Sequence, residues 1–60
     1  MTITDVNDGT VSTIDKQHVL AVYELTLYRQ VIMDDGREYD VTESYATLIA
    51  DIGNSGGGNL

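Results

Sequence analysis

Along VLAVYELTLYRQVIM, residues 19–33, apolar and polar side chains alternate rather than recurring every third or fourth position. Tyr23, Leu25, Leu27, Val31 and Met33 fall on one parity, with Glu24, Thr26 and Gln30 on the other, which is the period of a half-buried strand. Val19, Val22, Tyr23, Thr26, Tyr28, Val31 and Ile32 all favour extended backbone. Fifteen residues far exceed the usual strand of about 5–6. The pattern therefore predicts two strands, Val19–Glu24 and 28–33, with a reversal or bulge near 25–27. That reversal contains no Gly, Asn or Pro to supply turn geometry. A helix over 15–29, capped by Asp15 with Leu20, Tyr23 and Leu27 on one face, is the competing reading.

The flanking segments carry stronger local signals. Asp35-Gly36, between VIMD and REYDV, predicts a hairpin closed by a type I′ turn, with residues 37–41 as the returning strand. Thr42 or Ser44 then caps a short helix, with Glu43 in its first turn. Tyr45, Leu48, Ile49 and Ile52 follow the spacing of one buried helical face, and Gly53 offers a left-handed stop. Upstream, residues 10–14 read as a strand after a turn at Asp8-Gly9, and 15–18 as a polar break. The expected fold is α+β: a small antiparallel sheet of about four strands in order ββββα, within residues 9–53. Residues 1–8 form an amino-terminal arm or edge strand, and 54–60 a Gly-rich tail. Such a tail becomes ordered when a neighbouring subunit, a lattice contact or a ligand holds it.

Composition adds a problem of stability. A chain of 60 residues without Cys has neither disulfides nor thiolate metal sites to supplement a small core, so self-association, at least a dimer, is expected. The formal charge of −7 sets ten acids against Lys16, Arg29 and Arg37, which are scattered along the chain. Direct nucleic-acid binding and anionic membranes are disfavoured, and basic proteins become natural partners. No apolar run is long enough to span a bilayer, and MTITDVNDGT has no basic residue or apolar h-region of a leader, so a cytoplasmic location in a bacterial or phage-infected cell is expected.

Thr13-Ile14-Asp15 with Val19, then Val31-Ile32-Met33-Asp34-Asp35-Gly36, then Tyr39-Asp40-Val41-Thr42-Glu43-Ser44 and the helix to Ile52 resemble the FlbD/SwrD-like flagellar and swarming-motility proteins. The resemblance spans about two thirds of the chain. It implies a small sheet with one helix packed on it and a non-enzymatic character. The acidity, the Asp-rich amino terminus and the Gly-rich tail depart from that family's pattern.

Candidate chemistry is sparse. Asp5-Val6-Asn7-Asp8-Gly9 resembles the opening of a calcium loop, but it is one residue short and Lys16 stands at the twelfth position, where an acid is needed. His18 is the sole His, so a structural zinc site within one chain is disfavoured and a shared metal would have to lie on a symmetry axis. A Ser nucleophile from Ser12, Ser44 or Ser55 would need His18 as its base, and a solvated hairpin tip would not raise a carboxylate pKa for acid–base work. No cofactor and no catalysis are expected. Tyr45 is expected in the core by helical phase. Tyr28 with Arg29, and Arg37 with Tyr39, fall on strands joined by the Asp35-Gly36 hairpin and form the candidate binding set. Such pairs either hold a small anionic ligand, by guanidinium contact and ring stacking, or leave the arginines paired across strands with Glu24, Glu38 or Asp40. The expected function is a homo-oligomeric binding protein that sequesters or blocks a partner, of the kind phages encode as accessory inhibitors. The alternatives are a sponge for a signalling nucleotide at subunit interfaces, a DNA mimic, and a motility or structural component.

Overall fold

In the computed structural model, which describes residues 1–53, the elements run β1 (Thr2–Thr4), β2 (Val11–Thr13), a 3-10 turn (Lys16–His18), β3 (Val19–Glu24), β4 (Arg29–Met33), β5 (Glu38–Val41) and α1 (Tyr45–Gly53). The tail 54–60, and with it the question of what would hold it, lies outside the described residues. The α+β class stands, but the single sheet of four strands is corrected to two antiparallel sheets, β1-β2 and β3-β4-β5. The amino-terminal arm supplies the additional strand, with Thr2 opposite Thr13 and Thr4 opposite Val11. Its loop closes on Asp5, whose N–H bonds Thr10 O at 2.8 Å and whose carbonyl accepts Gly9 N–H at 3.0 Å, with Gly9 at φ 76°. An isolated bridge between Asp5 and Val41 joins the two sheets.

The reversal near 25–27 is a tight turn in which Leu25 N–H bonds Tyr28 O at 2.9 Å, and the competing helix over 15–29 does not form. The uniform parity expected from Tyr23 to Met33 is corrected by the two-residue turn itself, which pairs Leu25 with Tyr28 and so sets even positions of β3 opposite odd positions of β4. Val22 therefore opposes Val31 on the core side and Tyr23 opposes Gln30 on the other, while a bulge between Val19 and Ala21 inserts one residue upstream and returns Val19 to the core side opposite Met33. Leu25 and Leu27 sit in the turn and are exposed.

At the second hairpin Gly36 N–H bonds Met33 O at 3.0 Å and Met33 N–H bonds Arg37 O at 2.8 Å. These bonds enclose a three-residue loop with Gly36 at φ 94°, in place of the two-residue type I′ turn. Ser44 is the helix cap, its Oγ accepting Thr47 N–H at 3.1 Å. Glu43 therefore precedes the helix instead of lying in its first turn. The buried helical face narrows to Leu48, which is 1% exposed; Ile52 is half-buried, and Tyr45 and Ile49 are exposed, so Tyr45 is not a core residue. Gly53 ends the helix without a left-handed φ.

Ile3, Val31, Met33, Val41 and Leu48 make the core, one from β1, two from β4, one from β5 and one from α1, with Met1, Ile14, Val19, Val22 and Tyr39 packed at its margin. A core this small leaves much apolar surface outside it, notably Leu20, Tyr23 and Leu27. Among the described residues no helix is long and apolar enough to cross a membrane.

Candidate binding cleft

The 3-10 turn is brought against the β4–β5 hairpin by one backbone bond, Asp34 N–H to His18 O at 2.8 Å. Asp15 caps that turn by accepting Gln17 N–H at 3.0 Å, which holds its carboxylate at the same edge. Between turn and hairpin lies a cleft of about 370 Å³. Ile14, Met33 and Tyr39 supply its buried or half-buried apolar surface, and Asp15, His18, Asp34, Asp35 and Arg37 its exposed rim.

The rim is internally paired. His18 Nδ1 stands 2.8 Å from Asp34 Oδ2, and its Nε2 is 3.7 Å from Asp15 Oδ2. The hydrogen bond and charge of Asp34, then the charges of Asp15 and Asp35, raise the imidazole above its ordinary pKa. Asp35 accepts the Arg37 backbone N–H at 3.0 Å and its Nε at 2.8 Å, which holds this carboxyl below the usual range and the guanidinium above. With three carboxylates against one guanidinium and a partly protonated imidazole, the mouth is anionic near neutral pH.

Of the four residues singled out from the sequence, only Arg37 and Tyr39 line this cleft. Arg29 lies at the far end of β4, opposite Val41, where its Nε donates to Glu43 O at 2.7 Å and its terminal nitrogens reach Thr42 O and the Glu24 carboxylate. It ties the helix entrance to the sheet. Tyr28 is half-buried in the β3–β4 turn, its carbonyl taken by Leu25. The cross-strand pairing expected with Glu38 and Asp40 goes instead to Gln30, whose Nε2 donates to both. Asp15, His18, Asp34 and Asp35 were legible in the sequence only as a polar break and a turn. Their approach depends on the His18–Asp34 backbone bond, for which no local motif exists.

The stretch resembling a calcium loop uses Asp5 Oδ1 to accept Asn7 N–H at 2.7 Å and Asp8 N–H at 3.3 Å, the geometry of an Asx turn. Among the described residues no group of three or more His, Asp or Glu is arranged to hold a metal ion. Both ring nitrogens of His18 face carboxylates rather than a hydroxyl. No family model, curated protein or solved structure matches the chain.

Proposed function

We propose that the chain is a non-catalytic, self-associating binding protein that occupies a basic surface of a protein partner, with one cationic side chain of that partner entering the cleft. The observation that supports this reading is the combination of an apolar lining, Ile14, Met33 and Tyr39, with the anionic rim of Asp15, Asp34 and Asp35. Lysine and arginine have that amphiphilic form, an aliphatic stem ending in a cation, so stem and charge are both accommodated. A phosphate would meet carboxylates at the mouth, and both arginines of the original candidate set already donate to acceptors of their own chain. A cationic ligand is therefore favoured over a nucleotide. The net charge of −7 steers basic partners toward the whole molecule, and blocking such a partner requires only occupancy.

Titration of the isotopically labelled protein with tetralysine, followed by amide NMR, tests the proposal. Shifts confined to the 3-10 turn and residues 34–39, weakened by Asp34→Asn with Asp35→Asn and by added salt, are the expected result. Shifts spread evenly over all acidic segments, or a stronger response to a nucleoside monophosphate than to tetralysine, would overturn it.

A further inference from the structure

The two most exposed large apolar side chains of the described residues belong to β3 and the turn that follows it. Leu20, at the bulge of β3, is 70% exposed and Leu27, in the β3–β4 turn, is 85% exposed, with Tyr23 between them in sequence and also exposed. β3 is moreover an end strand of its sheet. The Leu25–Tyr28 turn bond sets the alternation of the β3–β4 ladder, so Ala21 and Tyr23 direct their backbone groups at β4 while Val22 and Glu24 turn theirs away from it. Natural edges of this kind often carry Lys or Pro as protection, and β3, VLAVYE, has neither, its blunting being confined to the bulge at its start and to Glu24 at its end, which is neutralised by Arg29.

We infer that this edge pairs with the same edge of a second copy, antiparallel, through β3 together with Leu20, Tyr23 and Leu27. The inference rests on the self-association in the function proposed above and gives it a location. Charge selects the occupant. Two chains of −7 repel wherever their acids meet, yet residues 19–29 contain only Glu24 and Arg29, which pair with each other at 3.5 Å. Every other acid of the chain lies outside this stretch, which makes it the place where two copies approach with least repulsion. A basic partner would gain little electrostatic attraction here. An antiparallel pair centred on Val22 or on Tyr23 also sets each Glu24 opposite Leu20 or Val22 of the second copy, never opposite its own counterpart. Such an interface is isologous and closes as a dimer.

Sedimentation of the full chain across a concentration series, with hydrogen exchange of the β3 amides, tests this. The expected mass is twice the 6.6 kDa of one chain, with the Val22 and Glu24 amides protected in proportion to dimer. Leu20→Lys with Leu27→Lys, both at exposed positions that the fold does not bury, should weaken dimerisation by at least about tenfold while leaving the thermal midpoint of the monomer at high dilution unchanged. A wild-type monomer at all concentrations overturns the self-association itself. A dimer of unaltered strength in the double variant overturns only its placement on this edge. Protection of Val22 and Glu24 in a monomer, lost on removing residues 54–60, would assign the edge to the chain's own tail and overturn the inference in that way.

Discussion

The Glu43 carboxylate accepts both the backbone N–H and the hydroxyl of Thr4, each at 2.8 Å, across 39 residues of sequence. This contact and the Thr42 N–H to Thr4 O bond at 3.0 Å fasten β1 to the entrance of α1, and so hold the small sheet against the larger one. Burial raises the Glu43 pKa, but the two Thr4 bonds, its own backbone N–H and the Arg29 charge outweigh this and leave it below its ordinary 4.5. A carboxylate lowered in the folded state stabilises above its unfolded pKa and loses that contribution as pH falls through the folded one. Glu43→Gln should cost about 1–3 kcal/mol at neutral pH in urea denaturation, and the difference from wild type should shrink below pH 4.5. A neutral-pH cost under about 0.3 kcal/mol would show that the Thr4 tie carries no stability.

Gly36 closes the β4–β5 hairpin at φ 94°, with open space where a Cβ would stand. Substitution there is opposed by backbone strain and not by a clash. Gly36→Val should therefore destabilise by about 1–2 kcal/mol or more, and Gly36→Asn by clearly less, since Asn tolerates positive φ. Equal losses for the two variants would point to a steric cause.

The helix offers a contrast between two neighbouring residues. Leu48 is buried among Ile3, Val31, Met33 and Val41, while Ile49 is 43% exposed. Leu48→Ala should cost about 2–5 kcal/mol by thermal or urea denaturation. Ile49→Ala should stay within about 0.5–1 kcal/mol in the dilute protein. A reversed order would mean that α1 is rotated about its axis from the position described.

What was legible in the sequence was local. The Asp35-Gly36 hairpin, the Ser44 cap and the division of residues 19–33 each follow from a few adjacent residues, and all three formed. Side-chain facing was not legible on β3, because the turn between Leu25 and Tyr28 shifts parity between the two strands and the bulge at Leu20 shifts it again at Val19, with no Gly to announce either. Nor was the placement of the small sheet against the larger one, which relies on the Thr4–Glu43 contact between residues far apart in the chain. Helical periodicity gave Leu48 correctly but overstated the face, since a nine-residue helix on so few strands has little to bury Tyr45 and Ile49 against. The cleft was half visible. Arg37 and Tyr39 were singled out, whereas His18 and its carboxylate partners meet only through tertiary pairing.

The same pairing gives the protein a pH response on the alkaline side. His18 faces Asp34 and Asp15, with Asp35 adding negative charge and Arg37, bound to Asp35, the opposing cation of the hairpin. A His raised above its ordinary 6.5 contributes stability that is fully present below that value and is lost as pH rises through the folded-state pKa. Unfolding midpoints should thus fall as pH rises above about 6.5, and His18→Gln should remove most of that fall while mattering less once the imidazole is neutral. Because the imidazole is exposed, the bond to Asp34 rather than burial sets the shift. NMR titration of the ring protons should accordingly give a pKa above 6.5 in the native chain and a lower one in Asp34→Asn, with Asp15→Asn producing a smaller change. An Asp34→Asn protein whose His18 titrates as in wild type would show that the turn and hairpin do not meet through this pair, and the walls of the cleft would then have to be drawn elsewhere.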